Sequence, residues 1–246
     1  MRLGDVSDDG LHGASPPCHS RPTRGEKSAE PGGRGSWRPY HRAVGWPTLE
    51  TDRLTLRPLT ADDVDSLSEL HAQESFWRFP FQRGWSRDET RAFLKRTVEQ
   101  YSDPGIAVSA VVVRATGQLA GWAGLSVPTF LPEILPAIEV GWRLGEQYRG
   151  FGYASESGEA WLRYGFEQLD VDTIVSIYEP DNAASGAVMK QLGFVLDRET
   201  THPALGVRLH VMSLARAAWI RAGAKTPHDA TPADIQNGKG CPPSPA

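Results

Sequence analysis

The sequence contains very little cysteine. Of its 246 residues only two are cysteines, Cys18 and Cys241, and both lie near the ends of the chain. A disulfide framework needs several paired cysteines, and a cysteine nucleophile needs a thiol within the folded part of the protein. The sequence therefore excludes a disulfide scaffold and a cysteine-based mechanism.

Clustered metal ligands are also missing from the sequence. His71, His202 and His210 are widely spaced and lack partners at the CxxC or HxxxH spacing that zinc sites use. We therefore expect no metal cofactor.

A long apolar run and a strong net charge are absent as well. The longest apolar run, at residues 106–113, is far shorter than the roughly eighteen residues of a membrane-spanning helix, and the start of the chain does not resemble a signal peptide. A formal net charge of −4 gives no field that would attract nucleic acid or an anionic membrane. We expect a cytoplasmic protein that has neither nucleic acid nor a membrane as a partner.

The two ends of the chain have few apolar residues. Residues 1–46 contain 13 Gly or Pro and only four Leu, Ile or Val, which is too little apolar surface to offset the entropy of ordering the segment. The other end is similarly rich in Gly and Pro. This composition predicts disordered tails at residues 1–46 and 222–246, with a single domain at residues 47–221 between them.

Hydrophobic periodicity predicts strands and helices in the middle of the chain. Apolar residues that alternate with period two predict strands, and apolar residues three or four apart predict helices. The predicted helices follow Thr60 and Ser86 and cover residues 154–168 and 182–191, and the predicted strands cover residues 53–58, 106–114, 118–127, 137–144, 173–179, 194–200 and 206–214. This order is typical of the α/β class, with a mixed sheet and helices on its faces.

Several local signals mark where these elements begin and end. Ser86 and Glu89 have the spacing of a capping box, which predicts a helix start. Gly117 predicts a hairpin turn, Gly193 the end of a helix, and the Asp-Pro-Gly motif at residues 103–105 a break.

The segment Gln-Tyr-Arg-Gly-Phe-Gly-Tyr-Ala, residues 147–154, lies between a predicted strand and a predicted helix. Its two glycines permit a tight turn with exposed N–H groups, and the start of the next helix adds positive potential. Such a loop can hold a pyrophosphate, although an ordinary strand-to-helix turn has the same composition. A dinucleotide-binding loop fits less well, because only one residue separates Gly152 from the next small residue, Ala154.

This loop and three further motifs resemble the GNAT superfamily of acyl-CoA-dependent N-acetyltransferases. Gln147, Gly150 and Gly152 match the family's cofactor signature, Q/R-x-x-G-x-G/A, which follows a central strand. The motifs at residues 49–59, 179–185 and 192–194 resemble the branch of ribosomal-protein N-terminal acetyltransferases of the RimJ/RimL type. The resemblance extends over about residues 49–219.

The resemblance implies the GNAT fold, which is a mostly antiparallel central sheet of about six to seven strands, flanked by helices, with a splayed strand pair that holds acyl-CoA. It also implies that strand backbone contacts the pantetheine arm and that the glycine loop holds the pyrophosphate. The residues that these roles assign to the cofactor are Trp142, Arg143, Leu144, Gln147, Arg149, Gly150, Phe151, Gly152, Tyr153, Ala154 and Asn182.

An amine attacks a thioester only when it is neutral, so the reaction needs a group that removes a proton. Glu139 lies at the strand position where many members of the family have a catalytic glutamate. The alternative is that Glu139 is only a polar residue on the open face of a strand. Glu133 and Glu179 are the other candidates for the base.

The resemblance assigns two more residues to catalysis. Asn182 lies where the family commonly has an asparagine that binds the pantetheine arm, and it can equally cap the helix that follows. Ser185 can face the cofactor sulfur or serve only for close packing. Many N-terminal acetyltransferases have a tyrosine seven residues after this asparagine as a general acid, but here that residue is Met189. Ser185, water or the ammonium group itself then has to return the proton.

Residues 76–85 are crowded with aromatic side chains and lie where the family has one wall of the acceptor cleft. The same aromatics can instead pack on their own core.

We expect an enzyme, monomeric or homodimeric, that moves an acetyl group from acetyl-CoA directly to a primary amine in a ternary complex. The amine is a protein N-terminal α-amine or a small-molecule amine. The alternative is a catalytically silent module that binds or senses acyl-CoA.

Overall fold

Eight strands form one mixed sheet in the computed structural model, which describes residues 46–80, 83–101 and 106–223. The strands are β1 Leu49–Glu50, β2 Leu54–Pro58, β3 Val108–Val113, β4 Leu119–Ser126, β5 Glu139–Leu144, β6 Thr173–Tyr178, β7 Val195–Thr201 and β8 Arg208–Ala215. The helices are α1 Val64–His71, α2 Arg87–Gln100, α3 Tyr153–Glu167, α4 Ala183–Gln191 and α5 Arg216–Arg221. The strand order is β1-β2-β3-β4-β5-β6-β8-β7.

The α/β class and the order of the predicted elements are confirmed, with two additions. β1 has only two residues, too few for a period to be read from the sequence, and it raises the strand number above the expected six to seven. α5 follows β8 without a turn, so no breaker in the sequence marks its start. The capping box at Ser86 and Glu89 and the hairpin turn at Gly117 are both present.

Some predictions concern residues outside the described part of the chain. They are the break at residues 103–105 and nearly all of the two predicted tails. Trp46, which the prediction assigned to the first tail, is part of the domain: its ring lies 4.7 Å from that of Tyr101, and its Nε1 donates to Ser109 Oγ at 3.1 Å. The tail was predicted from the average composition of residues 1–46, which does not reveal that one side chain at its end packs on the domain. Within the described residues, no helix is long and apolar enough to cross a membrane.

Helices cover both faces of the sheet. On one face Gly165 lets α3 approach Leu125 and Ile174, since a Cβ at this glycine would lie 3.4 Å and 2.6 Å from their Cδ1 atoms. On the other face Phe93 of α2 lies 6.0 Å from Trp122, measured between ring centroids. Because neighbouring side chains of a strand alternate between faces, β4 contributes to both layers.

The only parallel neighbours in the described sheet are β5 and β6, which pair at one position, Glu139 opposite Val175. β5 pairs with β4 at six positions, from Glu139 opposite Ser126 to Leu144 opposite Gly121. The sheet is therefore continuous up to β5 and open on the far side of that strand.

Asp63 joins the end of β2 to the start of α1 through hydrogen bonds from Arg57 and Thr60. It is 7% exposed, accepts two hydrogen bonds from Arg57, at 2.8 Å and 2.7 Å, and accepts a third from the Thr60 N–H at 2.8 Å. Burial acts to raise the pKa of Asp63, but the bonds from Arg57 and Thr60 outweigh it and hold this pKa below its ordinary value. The stabilisation is present at neutral pH and is lost as the pH falls through the lowered pKa.

We expect Asp63→Asn to lower the free energy of unfolding at pH 7 by about 2 kcal/mol, because a buried ion pair is broken. Urea unfolding at pH 7 and pH 3 measures this, and the difference between variant and wild type should shrink at the lower pH. Asp65→Asn is the matched control: Asp65 pairs with Arg87 but is 72% exposed, so it should cost less than about 0.5 kcal/mol. Equal losses in the two variants would contradict the assignment.

Candidate active site

The strand pair β5 and β6 separates into a wedge. The Val175 N–H donates to the Ile138 carbonyl at 2.8 Å, and the Ser176 hydroxyl donates to the Val140 carbonyl, also at 2.8 Å. Beyond this point the described residues form no further ladder between the two strands. The edge of β5 that faces the wedge is therefore free to bond an extended ligand that carries amide groups.

The residues predicted to contact pantetheine, Trp142, Arg143 and Leu144, lie along β5 beyond the closed end of the wedge. Gly141 precedes them, and a Cβ at that position would meet nothing within 4 Å. The Leu144 carbonyl accepts a hydrogen bond from Arg149 Nε at 3.2 Å, which ties the end of β5 to the glycine loop.

The glycine loop lies between β5 and α3. Gly150 and Gly152 have φ values of 80° and 79°, a left-handed conformation that other residues rarely adopt. α3 begins at Tyr153 and has no side-chain cap, so the N–H groups of its first turn and its dipole favour an anion. A Cβ at Gly150 would meet nothing within 4 Å, so this side of the loop is open. The loop is suited to a pyrophosphate.

Side chains of the loop support its shape. Arg149 donates to the Ser75 carbonyl at 2.7 Å as well as to Leu144. Tyr153 is 4% exposed and stacks on Phe151, with 5.7 Å between ring centroids. Gln147 is exposed and Ala154 lies in the first turn of α3. The residues of the signature are thus brought together at one end of the wedge.

Glu139 lies where β5 and β6 begin to part, on the face that also carries α1 and α2. Its carboxylate accepts a bond from the Ser126 hydroxyl at 3.5 Å and another from the Ile177 N–H. Burial raises the pKa of Glu139 from its ordinary value to about 7, and these two hydrogen bonds oppose the rise only in part. A carboxylate with this pKa is matched to proton transfer near neutral pH.

The two other candidate bases are less suited to the role. Glu133 is exposed and accepts a bond from the Thr200 hydroxyl at 2.5 Å, which ties the loop before β5 to β7. Glu179 follows β6 directly. Its pKa is raised by burial and by Asp181, while Arg143 opposes the rise. Neither lies at the point where the strands part.

Asn182 caps α4, which is one of the two roles predicted for it. Its Oδ1 accepts a hydrogen bond from the Ser185 N–H at 3.3 Å. The cap uses the oxygen of the side-chain amide, and the Nδ2 group remains a possible donor to a ligand. Ser185 lies in the same first turn and is partly buried. Met189 is 2% exposed and belongs to the core, so α4 presents no hydroxyl at this position.

A tyrosine hydroxyl does lie beside α4, but it comes from β6. Tyr178 packs against Gly186, where a Cβ would lie 2.8 Å from the ring, and its hydroxyl is 3.2 Å from His210 Nδ1. His210 Nε2 is in turn 3.5 Å from Glu199 Oε1. Sequence reasoning missed this group, because no local pattern pairs residues from β6, β8 and β7. The small residue at position 186 was the only signal.

The described part of the aromatic segment, residues 76–80 and 83–85, packs largely on its own core. Trp77 and Trp85 stack with 3.7 Å between ring centroids. Arg143 lies over Trp77 at 4.5 Å and donates from Nη1 to the carbonyls of Phe76 and Phe79, at 2.6 Å and 2.8 Å. Burial, with a contribution from Arg149, lowers the pKa of Arg143 to about 10. The segment is thus attached to β5 by a side chain next to the wedge.

His71 completes this aromatic cluster and is not a candidate acid or base. It is fully buried, with Nδ1 3.0 Å from the Thr90 hydroxyl. Burial, with a contribution from Arg143, lowers the pKa of His71 to about 3, so the ring is neutral at physiological pH. In the described residues no group of three or more His, Cys, Asp or Glu side chains could hold a metal ion.

A strand wedge that ends in a glycine loop at a helix start is suited to an acyltransferase that binds a CoA thioester. The sequence profile described as the acetyltransferase (GNAT) domain matches residues 53–195, more than half of the chain. The chain therefore belongs to the GNAT acetyltransferase family, whose members use acetyl-CoA.

Known proteins support this assignment. The chain is 26% identical over 148 residues to the uncharacterized N-acetyltransferase p20 of Bacillus licheniformis, covering 60% of this chain and 82% of p20. The crystal structure of an acetyltransferase from Agrobacterium tumefaciens strain C58 is 27% identical, with a TM-score of 0.58 and coverage of 71% of this chain and 97% of that one.

A third similar protein is RimL, a ribosomal L7/L12 alpha-N-protein acetyltransferase whose structure is solved in complex with coenzyme A. Its TM-score is 0.56 at 18% identity, and the match covers 67% of this chain and 95% of RimL. At this identity the likeness concerns the fold alone.

The open side of Gly150 generates a prediction about the loop. In Gly150→Val the new side chain would occupy the space proposed for phosphate and strain a residue with φ near 80°. We expect CoA affinity, measured by calorimetry, to fall at least about tenfold. Gly117→Val is the control, because Gly117 has a similar φ of 70° and equally open surroundings but lies in the β3–β4 hairpin turn. A comparable loss of affinity in both variants would reject the loop as the binding element.

The raised pKa of Glu139 predicts a stability effect. The unfolded chain releases this proton near the ordinary pKa and the folded chain only near 7, so the wild type loses stability as the pH rises through this window. We expect Glu139→Gln to stabilise the protein at pH 8 by about 1–3 kcal/mol and to have little effect at pH 4.5. Thermal unfolding at the two pH values measures this. The exposed Glu133→Gln should show no such pH dependence. If Glu139→Gln shows none either, the raised pKa of Glu139 is contradicted.

Proposed function

We propose that the protein transfers an acetyl group from acetyl-CoA directly to a primary amine in a ternary complex. The observation that carries this proposal is the position of Glu139 at the point where β5 and β6 part, with a pKa near 7. Glu139 would then act as the proton acceptor at the closed end of the wedge, and the glycine loop would bind an anion at the other end. A module that only senses acyl-CoA has no need of such a base.

Acetyl-CoA supplies the acetyl group as a reactive thioester. Its pantetheine arm would bond the free edge of β5 at Trp142, Arg143 and Leu144, and its pyrophosphate would bind the backbone of residues 149–154. The Nδ2 group of Asn182 would donate to the same arm from the start of α4. A backbone N–H of β5 would stabilise the negative charge that develops on the thioester oxygen.

Glu139 would take the proton from the attacking amine, directly or through water. The C–N bond forms, the C–S bond breaks, and the departing thiolate needs a proton. Met189 cannot supply it, which leaves the Ser185 hydroxyl, water or the ammonium proton itself. No covalent enzyme intermediate is required, in agreement with the absence of cysteine from the domain.

The acceptor we favour is the α-amine of a protein N-terminus. The motifs at residues 49–59, 179–185 and 192–194 resemble the RimJ/RimL type, and RimL shares the fold. An α-amine has a pKa of about 8 and loses its proton more readily than a lysine, which suits a base with a pKa near 7. Small-molecule amines are the second acceptor class.

Substitution of Glu139 tests the proposal. Thiol release from acetyl-CoA is followed with a panel of peptides and small amines, first for the wild type and then for Glu139→Gln. We expect kcat at pH 7.5 to fall about 100-fold, because the general base is lost, and the wild-type rise of rate through pH 7 to disappear. CoA affinity by calorimetry should stay within about twofold.

Glu133→Gln is the matched control and should retain wild-type activity. Full activity of Glu139→Gln would reject the assigned base. A wild type that binds CoA but acetylates no member of the panel would favour the acyl-CoA-sensing module.

A further inference from the structure

Arg53 lies directly before β2 in the sequence, yet its side chain reaches the glycine loop, about one hundred residues away. Its Nη1 donates to the Phe151 carbonyl at 2.8 Å. Its Nε donates to Glu156 Oε2 at 2.7 Å, and Nη2 lies 2.6 Å from the same oxygen. The guanidinium also lies over the ring of Tyr153, 5.0 Å from the centroid. One side chain thus contacts the loop and the first turn of α3.

Glu156 is held on more than one side. Its Oε1 accepts the Thr51 hydroxyl at 2.5 Å and the Arg53 backbone N–H at 2.9 Å. The Glu156 side chain is only 10% exposed, whereas that of Arg53 is 50% exposed. A nearly buried carboxylate therefore lies in the first turn of the helix whose start would bind an anion, and Arg53 is its ion-pair partner.

The bond to Phe151 also fixes the direction of a peptide group in the loop. In a trans peptide the carbonyl and the next N–H point in opposite directions. Because the Phe151 carbonyl points to Arg53, the Gly152 N–H is turned to the other side of this peptide. At Gly152 a Cβ would lie 3.3 Å from Arg53 Nη2, so the guanidinium borders the glycine itself.

We propose that Arg53 is a positioning residue for the pyrophosphate of acyl-CoA, through the Phe151 carbonyl and the charge of Glu156. The inference rests on the cofactor site of the proposed function. Arg53 orients the loop so that its N–H groups face the ligand, and it neutralises Glu156, whose charge would otherwise repel phosphate. Loss of Arg53 removes both effects at once.

The first test compares CoA affinity by calorimetry in Arg53→Gln, Arg53→Lys and the double variant Arg53→Gln with Glu156→Gln. We expect Arg53→Gln to weaken CoA at least about tenfold. The double variant should recover at least about threefold, because the uncompensated carboxylate is gone. Arg53→Lys keeps the charge but has a single donor group, so it should fall between the wild type and Arg53→Gln.

The matched control is Arg163→Gln, since Arg163 lies on the same helix and pairs with Glu159 at 3.6 Å. It should bind CoA within about twofold of the wild type. Unchanged CoA affinity in Arg53→Gln, or a double variant weaker than the single one, would overturn the proposal. If Arg53→Gln does not fold, Arg53→Lys decides alone: a CoA affinity at least about threefold below that of the wild type supports the proposal, and wild-type affinity overturns it.

The second test separates positioning from a general structural role. For Arg53→Gln we expect KM for acetyl-CoA to rise about tenfold with kcat within about twofold. The truncated donor acetylpantetheine lacks the pyrophosphate, so its kcat/KM should change less than about twofold. Equal losses with both donors would show that Arg53 merely supports the fold. Failure of the proposed function is distinguishable, because the calorimetric arm needs no acceptor amine.

Discussion

β5 is hydrogen-bonded along its whole length on one side and at a single position on the other. Unpaired backbone N–H and C=O groups need a partner, so the second side of β5 is where an extended ligand can bond. Glu139 lies at the last shared position, and the glycine loop follows the free end of the strand. In the proposed function a bound pantetheine arm would take the place of the missing ladder between the separated parts of β5 and β6.

The electrostatics of the site follow from burial. Glu139 is desolvated without an arginine or lysine at hydrogen-bond distance among its described partners, which leaves its pKa near 7. Asp63 is also buried, but Arg57 holds its pKa low and makes it a structural group. An arginine partner therefore lowers the pKa of one carboxylate, whereas burial without such a partner raises the pKa of the other.

Local features of the fold were predictable from the sequence, and long-range ones were not. Ser86 and Glu89 mark a helix start because the capping box lies within four residues. The glycines at 150 and 152 indicated a special turn, and both have positive φ. The alternation of apolar residues does not predict where β5 and β6 separate, and only the family resemblance implied this separation. Arg53 and Glu156 are 103 residues apart, so no sequence window contains their contact.

The bonds from Arg143 to the carbonyls of Phe76 and Phe79 have a mechanical consequence. Arg143 lies on β5 next to the open edge, with its backbone paired to Trp122 of β4, while its side chain holds the aromatic segment on the α1 and α2 face. A shift of β5 must therefore either carry this segment along or break two partly buried hydrogen bonds. The open strand and the aromatic segment are thus coupled through the side chain of Arg143.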